Sequence, residues 1–154
     1  ARLVVAAKGG AVPVTSTGDS TTIQVGLTLE VRTILPMLYR KGKQTTGVTL
    51  SDLQAKVGAD SVAVRMHLVR QGTAAFIGTV RGALVDSTGK VVSGFQAPQA
   101  VYYEMDPRFA ASTAGLPPGR YRMRLEVTSE REDIAADLIL PMVPVRDSVD
   151  LQLP

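Results

Sequence analysis

Apolar and polar residues alternate with a period of two along most of the chain. The four clearest runs span residues 22–32, 62–69, 120–127 and 149–153. Successive side chains of a β-strand point to opposite faces of its sheet. Each run therefore predicts a strand with one face on a core and the other in water.

Turn-forming residues separate these runs at intervals of about 8–12 residues, the spacing typical of a β-sandwich. Examples are Lys8-Gly9-Gly10 and Leu116-Pro117-Pro118-Gly119. The only weakly helical segment is 130–140, where we expect one turn followed by a strand over 134–140. The predicted fold class is all-β, an immunoglobulin-like β-sandwich.

The alternation also fixes which side chains should be buried, because a one-residue slip of register would invert every side chain. Exposure is predicted for the polar residues of two runs, Arg65, His67, Arg122 and Arg124. Burial is predicted for their apolar neighbours, Met66, Leu68, Tyr121, Met123 and Leu125.

Composition removes several classes of function. The chain has no cysteine, so neither a disulfide framework nor a cysteine zinc site can form. The net charge of +3 is interspersed and aromatic residues make up only 5%, unlike the basic, aromatic-rich footprint of a nucleic-acid reader. No run approaches the ~18 consecutive apolar residues of a membrane span. We expect no metal, no cofactor, no nucleic-acid partner and no membrane span.

Catalysis is not indicated either. A hydrolase needs a nucleophile and a base within hydrogen-bond reach, and the only histidine, His67, is expected on a strand surface. Glu130, Glu132 and Asp133 cluster beside Arg131, which is typical of a solvated turn. The prediction is a binding protein rather than an enzyme.

The run at residues 22–32 allows two interpretations. It is apolar at every second position, has no proline, and carries its only charges at its far end. Periodicity alone favours a central strand of a sheet. The alternative is an edge strand kept open for a partner, because an exposed edge can template another chain.

The chain resembles the periplasmic chaperones of chaperone–usher pili, in a divergent, archaic-type form. It shows alternating Ile23, Val25 and Leu27, then Arg32, then Leu38-Tyr39-Arg40. The resemblance implies that residues 1–38 are the last strands of a truncated first immunoglobulin-like domain. Residues 39–154 would be the second domain, a β-sandwich. The inserted Ile34-Leu35-Pro36-Met37 departs from the family pattern, and the front of the first domain, with its anchoring basic residue, is expected to be missing.

The resemblance also implies a mechanism of binding. A pilin-like subunit lacks its last strand, and the chaperone lends one, pairing backbone groups and filling pockets with alternate side chains. Arg32 would meet the subunit's terminal carboxylate. Residues 1–7 would be the preceding strand and 8–21 a loop. The implied subunit-binding residues are Ile23, Val25, Leu27, Leu29 and Arg32.

Two other functions remain open, besides a periplasmic or secreted chaperone. The first is a generic extracellular immunoglobulin-like structural or adhesion module. The second, a carbohydrate-binding sandwich, would use exposed aromatic rings. Only Tyr102-Tyr103 forms an aromatic pair, and alternation would turn one ring inward. Arg120, Arg122 and Arg124 share a face that Glu126 and Glu130 are expected to balance. Neither the partner's identity nor the oligomeric state follows from the sequence.

Overall fold

The computed structural model describes residues 2–10, 12–14, 25–27, 29–37 and 39–154, with the backbone alone for 2, 12–14, 25–27 and 36. The chain divides into two compact units, Ala1–Lys41 and Gly42–Pro154. All strand pairing described below is antiparallel.

The first unit contains four strands that form two paired ladders. Strand β1 (Arg2–Lys8) pairs with β4 (Glu30–Pro36), and β2 (Val12–Val14) pairs with β3 (Val25–Leu27). The expected strand at 1–7 is thus present as β1. The expected loop at 8–21 is wrong in part, because β2 lies inside it. Pro36 ends β4, as expected of a residue that has no backbone N–H to donate.

The second unit is a sandwich of two antiparallel sheets, which confirms the all-β sandwich predicted from the sequence. One sheet has the order β10-β6-β5, with β9 also paired to β6, and the other has the order β12-β11-β7-β8. The strands, in chain order from β5 to β12, are Thr46–Val57, Ser61–Gly72, Phe76–Val85, Val91–Val101, Glu104–Met105, Arg108–Ser112, Gly119–Thr128 and Val145–Leu153.

Apolar side chains from both sheets meet in one core. The predicted burial is confirmed: Met66, Leu68, Tyr121, Met123 and Leu125 are all at most 6% exposed. On the opposite faces Arg65, Arg122 and Arg124 are exposed and His67 is half-buried. Among the residues that the structure describes, the core cluster draws only on positions 48–153.

The predicted strand at 134–140 is wrong. The segment holds a single 3-10 turn, Ala136–Leu138, with no buried residue. Strand β11 already pairs with β7 on one side and with β12 on the other, so no free edge remains beside it for the 134–140 run. That run serves as the connection between β11 and β12.

Candidate protein-binding ribbon

Three of the five predicted binding residues lie in the two ladders of the first unit, β1–β4 and β2–β3, which we together call the ribbon. Val25 and Leu27 lie in β3, paired with Val14 and Val12 of β2. Leu29 lies between β3 and β4, where its carbonyl accepts a hydrogen bond from the Gly9 N–H at 2.9 Å. Ile23 lies outside the described residues, so its placement stays a prediction.

Pairing fixes which side chains share a face of the ribbon, because directly opposed residues point the same way. Leu3 faces Leu35, Val5 faces Thr33 and Ala7 faces Val31. We call these six residues, together with Leu29, the apolar face. All seven are exposed. The Leu29 side chain is 71% exposed, far more than that of a leucine packed in a hydrophobic core.

The other face of the ribbon carries its charges, beside a second exposed apolar pair, Val4 and Ile34. Arg32 lies opposite Ala6, and Glu30 lies opposite Lys8. Arg32 Nε donates to Glu30 Oε1 at 2.6 Å, and the Arg32 side chain remains 68% exposed. The guanidinium predicted to meet a partner's carboxylate therefore holds a carboxylate of its own chain in this structure.

Five of the seven residues of the apolar face lie outside the run at 22–32, which the sequence indicates for binding. Thr33 and Leu35 continue that run along β4, and Leu3, Val5 and Ala7 lie on β1. For β1 the signal in the sequence is a short continuous apolar run, residues 3–7, before Lys8-Gly9-Gly10. It became meaningful only once β1 was seen to pair with β4 in this register.

In the second unit, His67 has a partner that the sequence did not predict. His67 Nδ1 lies 3.0 Å from Asp106 Oδ1, and Arg65 lies 3.6 Å from the other oxygen of that carboxylate. No nucleophile hydroxyl is hydrogen-bonded to the imidazole in the described part of the chain. In that same part, no three histidine or acidic side chains cluster as a metal site would require. The pair links β6 to the segment between β9 and β10.

Hydrogen bonds and neighbouring positive charges hold the pKa of several exposed carboxyls below its ordinary value. His67 lowers the pKa of Asp106, Arg122 that of Asp150, and Arg131 that of Asp133, each chiefly through a side-chain hydrogen bond. In the unfolded chain these groups return to about 3.9. The unfolded state thus takes up protons first as the pH falls, so the stabilisation is present above about pH 4 and is lost below it.

We therefore expect the melting temperature to fall between pH 5 and pH 3. The fall should be smaller in Asp150→Asn than in the parent, because an amide does not titrate. Scanning calorimetry at the two pH values measures both quantities. An unchanged or higher melting temperature of the parent at pH 3 would contradict the expectation.

The exposed arginines of β11 are balanced differently from the prediction. Arg122 forms a two-pronged pair with Asp150 of β12, at 2.6 and 3.1 Å. Glu126 instead pairs with Arg146, and Glu130 with Arg81. The expected balance by Glu126 and Glu130 is wrong, because the register places Asp150, not a glutamate, opposite Arg122. An open groove of about 670 Å³ runs along this face, lined by both signs of charge.

The prediction that one ring of Tyr102-Tyr103 turns inward is also wrong. Tyr102 is 55% exposed and Tyr103 is 77% exposed. Both residues form a bend between β8 and β9, and strict alternation does not hold through a bend.

Comparison with known proteins assigns no family. No family model matches the chain, and no curated protein matches it. One solved structure is similar, that of β-glucosidase 3B from Thermotoga neapolitana in complex with α-D-glucose, with a TM-score of 0.41 and 12% identity. The match covers 70% of this chain and 17% of that one. A likeness of this size does not assign a function. No helix in the described ranges is long and apolar enough to cross a membrane.

Proposed function

We propose that the ribbon binds a partner protein by adding a β-strand to the partner's sheet, as a periplasmic chaperone does for a pilus subunit. The observation that carries the proposal is the two-stranded pairing of the ribbon. Among the described residues, β4 has a strand on one side only, and an apolar face lies exposed beside it. Unpaired edges with exposed apolar side chains are the template for strand addition.

The low stability expected of a lone two-stranded ribbon favours a state in which a partner protein covers its apolar surface. A two-stranded hairpin is marginally stable in water by itself, and exposed contiguous apolar surface marks interaction sites. Full burial of each leucine or valine in a partner's pocket would contribute about 1.5–3 kcal/mol, before the costs of association. The leucine and valine side chains that β4 and the residue before it contribute to the apolar face are Leu29, Val31 and Leu35.

The charged face supplies a second contact of the proposal. A subunit's terminal carboxylate would replace Glu30 as the acceptor of Arg32, in a charge-assisted hydrogen bond. The Arg32 side chain of this pair is 68% exposed and the Glu30 side chain 30%, and ion pairs that are open to solvent contribute little to stability, about 0–1 kcal/mol. The exchange is therefore energetically accessible.

The second unit supports the immunoglobulin-like part of the proposal. Strands β5, β6 and β10 lie in one sheet, with the short β9 also paired to β6, and strands β7, β8, β11 and β12 form the other. In the proposed immunoglobulin-like assignment, β5, β6 and β10 correspond to strands A, B and E. Strands β7, β11 and β12 correspond to C, F and G, and β8 is the added strand beside C. Tyr121, near the start of β11, donates its hydroxyl to the Pro117 carbonyl at 2.8 Å, as in a tyrosine corner.

The proposal predicts that charge in the ribbon destroys binding and spares the fold. Leu27→Glu and Leu29→Glu should abolish capture of a co-expressed fimbrial subunit that lacks its own last strand. The melting temperature should stay within about 2 °C of the parent, because the sandwich core draws on no described ribbon residue. Capture is measured by co-purification and melting by calorimetry.

Arg124→Glu is the matched control. It puts the same charge on an exposed face of the sandwich, and should leave both capture and melting unchanged. If instead the ribbon is core in a generic module, the Leu27→Glu charge is unpaired and buried, and melting should drop by more than ~10 °C. That drop, or subunit capture by both ribbon variants, would overturn the proposal.

A further inference from the structure

The bend between β8 and β9 presents two adjacent tyrosyl rings to solvent. Tyr103 is 77% exposed and Tyr102 is 55% exposed. The residue before them, Val101, is 1% exposed and belongs to the core. The residues after them, Glu104 and Met105, pair with Val69 and Leu68 of β6. The bend is thus fixed at both ends.

Arg70 of β6 fixes the bend at its middle as well. Its backbone N–H donates to the Tyr103 carbonyl at 2.7 Å. Its guanidinium carbon lies 5.7 Å from the centre of the Tyr103 ring, a cation–π distance. The arginine therefore supports one side of the ring, while most of the ring surface remains open to solvent.

We propose that this bend is a carbohydrate-binding site, with Tyr103 as the stacking platform for a pyranose ring. A sugar ring presents a flat face of C–H groups that packs on an aromatic ring, and hydroxyls around its edge that need polar partners. The Arg70 guanidinium supplies donors beside the platform. The phenolic hydroxyls of the two exposed tyrosines can each donate and accept a hydrogen bond.

Charge and size favour a sugar over the other ligands of exposed aromatics. Among the described residues Arg70 is the one cation in contact with the Tyr103 ring, whereas a nucleic-acid backbone binds along a groove that carries several. A stable protein interface buries about 1,200–2,000 Å² in total, far more than two side chains cover. An uncharged oligosaccharide needs only the ring and a few polar groups at its rim.

The absence of tryptophan makes the site directly observable. The chain holds four tyrosines and no tryptophan, so half of the intrinsic emitters lie in the bend. The probes are soluble β-1,3- and β-1,4-linked glucans, galactomannan and chitin oligosaccharides. At least one should retard the full chain in native affinity electrophoresis and change its tyrosine fluorescence in a saturable manner.

Variants separate stacking from general loss of structure. Tyr103→Ala should weaken retardation at least tenfold, while Tyr103→Phe should keep most of it because the ring remains. Tyr39→Ala is the matched control, since Tyr39 is 87% exposed and lies in the other unit. It should bind as the parent does.

Three outcomes would overturn the proposal. The first is that no probe in the panel retards the chain or alters its fluorescence. The second is that Tyr103→Ala binds the retarding sugar as tightly as the parent. The third is that Tyr103→Ala loses fimbrial-subunit capture while sugar binding is unchanged or absent, which would make the bend a protein contact.

Discussion

Leu125→Ala is expected to lower the free energy of unfolding by about 2–5 kcal/mol. Leu125 is 2% exposed and lies on β11, which pairs with a strand on each side, so neighbouring side chains cannot collapse into the space left behind. Urea unfolding followed by far-ultraviolet circular dichroism measures the loss. Arg124→Ala, one residue away on the outer face, should change stability by no more than about 0.5 kcal/mol. A loss of that small size in Leu125→Ala would contradict the assigned register.

Gly82→Val is expected to cost about 1–3 kcal/mol through overpacking. Gly82 of β7 lies directly opposite Phe95 of β8, and the Phe95 ring fills the space where a side chain at position 82 would stand. That ring also stacks on Phe109 of the other sheet, with centroids 4.8 Å apart. Displacing it therefore disturbs the contact that joins the two sheets along this edge.

A double-mutant cycle tests that mechanism. In a Phe95→Ala background the added methyl groups of Gly82→Val would enter vacated space, so the substitution should cost clearly less than in the parent. Gly10→Val is the control for a change of glycine alone, because no atom of the described residues lies within 4 Å of the place that a Cβ at position 10 would take. Equal costs for Gly82→Val in the two backgrounds would show that the ring is not what excludes a side chain.

The fold could be predicted where alternation was strong and unbroken. Met66 and Leu68, or Tyr121 and Met123, stand in long strands where period two directly gives the buried face. Prediction failed where the backbone leaves that period. The bend at Tyr102-Tyr103 turns both rings outward, and the apolar residues 134–140 follow β11, which is already paired with β7 and β12.

The strand predicted over 22–32 corresponds to two strands in the structure, β3 and β4, each paired with an earlier strand of the chain. The extended conformation of Val25 and Leu27 followed from local pattern. The register that sets Leu3 against Leu35 joins residues far apart in the chain, and such pairing leaves no local trace. The same holds for His67 and Asp106, which are 39 residues apart.

The pairing of β4 with β1 has a consequence for the entropy of association. Fixing the backbone of one residue costs about 1–2 kcal/mol at room temperature. A disordered segment would lose that freedom on meeting its partner, which lowers its affinity for a given contact area. Here β1 already holds seven residues of β4, Glu30 to Pro36, in extended form. A partner that adds to this edge meets a preformed strand, so more of the contact energy appears as affinity.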